Sequence, residues 1–192
     1  MNPFVLEHTE HNERLWDMYS RLLRDRIIML DESIDEKTAT MVCGQLLFLQ
    51  SENPQAAIWI YINSPGGVVT DGLAIYDTMR HVSCPVGTLC MGQAASMAAV
   101  ILASGQRGMR VSLPSSRIMI HQPSGGFQGQ ATDAAIHTAE ILRLRAILDG
   151  ILSQATGVPV EEMRTITERD AYFNAQEALG MRLIDGIVWP EK

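Results

Sequence analysis

Ser96 stands among very small residues, in the run Gly92–Val100 that reads GQAASMAAV. An apolar run, Val86–Met91, precedes it, and an apolar helix-forming run, Met97–Leu102, follows. That is the layout of a strand, a tight turn and a helix. A nucleophilic serine needs such a turn, because its hydroxyl must project from a rigid backbone that a substrate can approach. The N–H groups that open the following helix can hold an oxyanion. The pattern is small-x-Ser-x-small, akin to the nucleophile elbow, with Ala94 and Ala98 in place of its glycines. Alone, a serine at a helix start is more often an N-cap.

Two further stretches supply the partners a serine nucleophile needs. Arg117–Pro123 reads RIMIHQP, an apolar strand ending in His121, with Pro123 blocking its continuation. Thr167–Phe173 reads TERDAYF, with Asp170 between a polar helix end and an aromatic pair. Each alone reads as a turn histidine or a surface charge. Together they offer nucleophile, base and orienting acid in the chain order Ser, His, Asp, which is admissible because a triad is defined by geometry.

The elements that must position these residues alternate between strand and helix. Leu15, Met18, Tyr19, Leu22 and Leu23 recur at helical spacing over Asn12–Leu23, which predicts a helix there. Ile27–Leu30 is a short strand, Asp35–Gln50 a helix, Ala57–Ile62 a buried strand, and Asn63–Gly67 (NSPGG) a turn. Asp71–His81 is a helix, Val86–Met91 a strand and Ser96–Ser104 a helix. Strands follow near Met109–Leu113 and Ile118–Ile120. A glycine-rich polar stretch, Gly125–Thr132, leads into a long helix, Asp133–Thr156. The alternation argues an α/β class with parallel strands under helices. Periodicity does not separate a doubly wound sheet from a spiral of β-β-α turns.

Composition narrows the chemistry. The chain has 192 residues and is 46% hydrophobic, enough for one domain with a sizeable core. A net charge of −7 excludes the basic surface of a general nucleic-acid binder. No apolar run is long enough to span a membrane, and the first residues lack the pattern of a secretory signal. Cys43, Cys84 and Cys90 form no CxxC, and three cannot all pair within one chain, so free thiols in a reducing cytoplasm are expected. No Cys, His or acidic cluster has metal-ligand spacing, and no cofactor is expected.

Motifs through most of the chain resemble the ClpP family, the proteolytic subunits of ATP-dependent Clp proteases. They are MYSRLL (Met18–Leu23), YINSPGG (Tyr61–Gly67), IYDTMR (Ile75–Arg80) and CMGQAASM (Cys90–Met97). MIHQP (Met119–Pro123), GQATD (Gly129–Asp133) and TERD (Thr167–Asp170) complete the set. The resemblance implies a single domain over residues 1–192 with the ClpP/crotonase-like β-β-α superhelix. Residues 1–20 match an N-terminal axial segment and helix, and residues 123–156 a protruding strand-helix handle.

It also implies a serine endopeptidase with Ser96, His121 and Asp170 as triad and the Gly67 and Met97 amides as oxyanion hole. Gly66, Gly125, Gly126 and Phe127 match substrate-binding positions, and Gln130, Glu168 and Arg169 match inter-ring contacts. Tyr61, His81, Leu89, Met91, Val111 and Leu113 match a docking pocket for a AAA+ Clp ATPase of the ClpX, ClpA or ClpC type. His81 and Val111 stand where aromatic residues are common. The implied assembly is two stacked heptameric rings that degrade unfolded proteins. ATP belongs to the partner, since the chain has no GxxxxGK[ST] loop. A crotonase-type hydratase would need no such triad. A paralogue active only in mixed rings, or acting as a scaffold, is the alternative.

Two positions bear on local structure. Ala98 stands where the family commonly has glycine. Arg182 replaces a usual glycine near the end of the ALGMRLID stretch, which puts that helix end in question.

Overall fold

The computed structural model describes residues 4–8, 13–126 and 129–189. Its elements run β1 (Phe4–His8), β2 (Glu13–Asp17), α1 (Met18–Arg24), β3 (Ile27–Leu30), α2 (Glu36–Glu52) and β4 (Ile58–Ser64). Then come α3 (Val69–His81), β5 (Val86–Ala95), α4 (Met97–Ala103), β6 (Arg110–Ser112) and β7 (Arg117–Ile120). The chain closes with α5 (Ala131–Thr156), α6 (Val160–Ile166), β8 (Ala171–Asn174), α7 (Ala175–Gly180) and β9 (Gly186–Ile187).

Strands β3, β4, β5, β6 and β9 form a parallel sheet in that order. In-register neighbours Ile28, Ile60, Thr88 and Arg110 make its inner row and are all buried. Against them pack α2, α3 and α4, and every residue of α4 is buried. The outer row, Met29, Tyr61, Leu89 and Val111, is only half-buried.

Strand β5 serves two layers. Its first half pairs with β6, its second half with β7, and the β4–β5 register shifts between Ile62 and Ser64. Gly92 makes the bend, at φ 91°, where a methyl group would lie 2.6 Å from Asn63 Oδ1. Beyond it, β7 pairs antiparallel with β8. This mixed architecture, a parallel sheet wrapped by helices, is that of the ClpP/crotonase fold.

The structure alters some expected elements. Glu13–Asp17 is a strand paired with β1, and the helix begins only at Met18. Asp17 caps that helix by accepting from the Ser20 amide, and residues before a cap cannot be helical. Residues 121–126 carry no strand, because β7 ends at Ile120 and Pro123 has no N–H to pair. Arg182 does not disturb its helix end. It takes φ 58°, the Arg182 amide donates to Leu179 O and the Leu183 amide to Ala178 O, the geometry usually given to glycine.

Candidate active site

Ser96 joins β5 directly to α4, with φ 55° and ψ −125°. That conformation is rare outside glycine and costs about 1–3 kcal/mol, so the surroundings must impose it. They do so through the Ser96 amide, which donates to Met119 O at 2.8 Å. The Ser96 carbonyl accepts from Ala99 and Val100 at the start of α4. Ala94, Ala95 and Ala98 are buried, and their small side chains allow so sharp a turn in the core. Ala98 is fully buried, so its methyl is accommodated.

The β7–β8 ladder carries the other two residues. Its last pair is Ile120 with Ala171. One step further the same register opposes His121 to Asp170. The pairing of Ala95 with Met119 brings this end of β7 beside Ser96. His121 Nε2 lies 2.8 Å from Ser96 Oγ, and His121 Nδ1 lies 2.9 Å from Asp170 Oδ1. An ionised carboxylate only accepts, so Nδ1 carries the proton and Nε2 is left to accept from the serine hydroxyl. The Asp170 side chain is 56% exposed and that of His121 24%. Gln122, next in the chain, clamps the acid's segment: its amide donates to Thr167 O and its Nε2 to Glu168 O.

Gly66 and Gly67 lie against this turn. A methyl group on Gly66, whose φ is 87°, would sit 2.5 Å from Ala95 O, 2.8 Å from Ser96 Cβ and 2.9 Å from the Met97 nitrogen. On the other side, Ile34 bridges Gly67. The Ile34 amide donates to Gly66 O, and the Val68 amide donates to Ile34 O. In such a bridge the intervening Gly67 N–H is turned away from Ile34. Among the described residues, neither the Gly67 nor the Met97 amide has an acceptor. Two unsatisfied N–H groups beside a serine are what an oxyanion hole requires. Ile34 was not anticipated from sequence, because nothing in SIDEK marks a residue that bridges a glycine 33 positions on.

The remaining expected positions fall into three groups. Gly125 packs on α5, where a methyl group would come within 2.6 Å of Ile141 Cδ1, while Gly126 is open. Phe127 lies outside the described residues. Tyr61, Leu89 and Val111 are in-register neighbours, and Met91 follows on the same face of β5. Leu113 lies just past β6 and is exposed, whereas His81 is the exposed last residue of α3. Gln130 is the N-cap of α5 without a side-chain cap bond, and Arg169 is exposed. Glu168 bonds within the chain, to Arg145 Nη2 at 2.6 Å, and this partner holds its carboxyl below the ordinary range.

Cys90, on the strand that leads to Ser96, is not poised as a competing nucleophile. Burial pushes the Cys90 thiol up to about 11, so it is protonated at neutral pH. Among the described residues no group of His, Cys, Asp or Glu is placed to hold a metal ion. No helix among them is long and apolar enough to cross a membrane.

A family model described as Clp protease matches residues 10–191, nearly the whole chain. A match of that extent, over a chain whose Ser96, His121 and Asp170 lie in hydrogen-bonded sequence, places this protein in the Clp protease family.

Proposed function

We propose that this chain is an active serine endopeptidase, and that the reading rests on one observation above others: the unbroken Asp170–His121–Ser96 chain of 2.9 Å and 2.8 Å contacts at a strained strand-to-helix turn. His121 Nε2 takes the Ser96 proton as Oγ attacks a peptide carbonyl. The oxygen that gains charge is received by the Gly67 and Met97 amides. Asp170 keeps the imidazole in the correct tautomer and stabilises its charged form. His121 then returns the proton to the leaving amine, and water completes the cycle by the same route. Each oxyanion donor contributes about 2.7–4 kcal/mol to the transition state. Substrate pairs through its main chain with the glycine-rich 125–126 segment, whose backbone has no partner among the described residues and suits extended peptides of any sequence.

The working form is two stacked heptameric rings. Ile136 is 64% and Leu142 51% exposed on α5, and Met41 and Phe48 are exposed on α2, apolar faces that another subunit would cover. The half-buried outer row Tyr61–Leu89–Val111 points the same way, since parallel sheets are normally covered on both faces. On that row we place docking of a AAA+ ATPase, which delivers unfolded protein in the cytoplasm. Inter-ring contacts fall to Gln130, Glu168 and Arg169.

Peptide hydrolysis by the isolated chain, measured beside its mass in solution by light scattering, tests the reading. Cleavage by a ring assembly that Ser96→Ala abolishes supports it. A folded ring without cleavage that gains activity only on adding a second ClpP-type subunit replaces it with the mixed-ring alternative.

A further inference from the structure

Asp149 is an acid in the middle of an apolar helix face. It sits on α5 between Leu148 and Ile151 and is only 3% exposed. A buried carboxylate needs partners, and both of its partners lead to the active site. Thr167 Oγ1, itself on a residue 1% exposed, donates to Asp149 Oδ1 at 2.9 Å. Arg145 Nε, one turn earlier on α5, lies 3.7 Å from Asp149 Oδ2, close enough to balance its charge without a hydrogen bond. The same guanidinium reaches Glu168 Oε2 at 2.6 Å and Arg164 O at 3.3 Å.

Thr167 and Glu168 lie three and two residues before Asp170, and they are the two residues that Gln122 clamps. The Gln122 amide donates to Thr167 O at 2.7 Å and its Nε2 to Glu168 O at 2.8 Å. His121 and Asp170 are therefore carried on segments fastened to each other by Gln122. The Asp170 segment is in turn fastened to α5 through Asp149 and Arg145. Asp170 is mostly exposed, and among the described residues its side chain bonds only to His121, so its placement depends on the backbone beneath it.

We infer that Asp149 is a positioning residue: through the Thr167 hydroxyl it anchors the segment that presents Asp170 to His121, coupling α5 to the catalytic triad. This rests on the triad reading above. The anchor is a hydrogen bond to a charged acceptor in the core, where removal of one partner reduces the function it supports about tenfold or more.

The test measures the rate at which a fluorophosphonate probe acylates Ser96 in the full chain, in two backgrounds. In the otherwise unaltered protein, Asp149→Ala and Thr167→Val each slow acylation at least about tenfold. In the Asp170→Asn background the same changes cost less than about twofold, because the group they position is already disabled. Asp149→Asn, which keeps an acceptor for Thr167, restores most of the rate. Thr167→Val is nearly isosteric and decides the matter if Asp149→Ala does not fold. Equal losses in both backgrounds, or none in either, overturn the inference. Asp170→Asn acylating as fast as the unaltered protein overturns the triad reading itself, a different result.

Discussion

Gly72 lies directly against Met97: a methyl group built on Gly72 would overlap Met97 Cγ and sit 3.0 Å from its Sδ. Helix α3 thus fixes the side chain of the residue whose amide we assign to the oxyanion hole. Met97 is 1% exposed and has little room to yield. Gly72→Ala is expected to overpack the site by about 1–3 kcal/mol. Probe acylation of Ser96 should slow more than the fall in melting temperature alone explains. Unchanged acylation would show that the α3–α4 contact is packing only.

The triad members should act as a unit. His121→Ala and Asp170→Ala each remove most of the cleavage rate, by orders of magnitude, and the double variant is little worse than the worse single one. Additive losses in steady-state peptide hydrolysis would mean that the contacts at 2.8 Å and 2.9 Å are not one catalytic device.

How much of this was legible in the sequence follows from where the residues sit. Ser96, His121 and Asp170 each lie at an element end that local signals mark: small residues, a proline, a polar-to-aromatic switch. Their order in space required the β5–β7 and β7–β8 pairings, and β8 has only four residues, too few for a periodic signal. Residues 13–17 read as helix because Leu15, Met18 and Leu22 satisfy helical spacing, while the pairing of Val5 with Trp16 overrides that pattern. Contacts such as Arg110 with Asp185, 75 positions apart, leave no local trace. Asp149 left one, an acid on an apolar face.

That Arg110–Asp185 pair sets an acid limit on stability. Burial pushes the Asp185 carboxyl up, but hydrogen bonds from the Arg110 side chain, the Arg110 amide and the Gly108 amide outweigh it, so its pKa falls below the ordinary value. The stabilisation is complete above about pH 4, where the unfolded carboxyl is also ionised, and is lost as pH falls through the folded-state value. Asp185→Ala strands Arg110, 3% exposed, and should cost about 3 kcal/mol at neutral pH. Urea unfolding at pH 7 and pH 3 checks this: the difference between variant and parent should shrink at the lower pH.

Arg182 holds a left-handed conformation at φ 58° that L-residues adopt at a cost of roughly 1–2 kcal/mol. Arg182→Gly should therefore raise the melting temperature by about 2–4 °C for each kcal/mol relieved. A drop in calorimetry would assign the Arg182 side chain, which reaches over Gly157, a stabilising role larger than its backbone strain.

Val111 on the proposed docking row and His81 at the end of α3 make the proposed dock shallower and more polar than aromatic residues would. Burying an aromatic side chain contributes about 1.5–3 kcal/mol. The double change His81→Phe with Val111→Phe should tighten ATPase binding about tenfold or more, read as ATPase-dependent degradation of an unfolded substrate. Unchanged affinity would place the dock elsewhere.

The central claim is that Ser96 is a nucleophile activated by His121. Its most direct test is mass-spectrometric mapping of the fluorophosphonate adduct on the assembled protein. The account predicts one adduct, on Ser96, absent in Ser96→Ala and slowed by orders of magnitude in His121→Ala. An adduct that persists in Ser96→Ala, or a folded ring whose Ser96 stays unmodified, contradicts it.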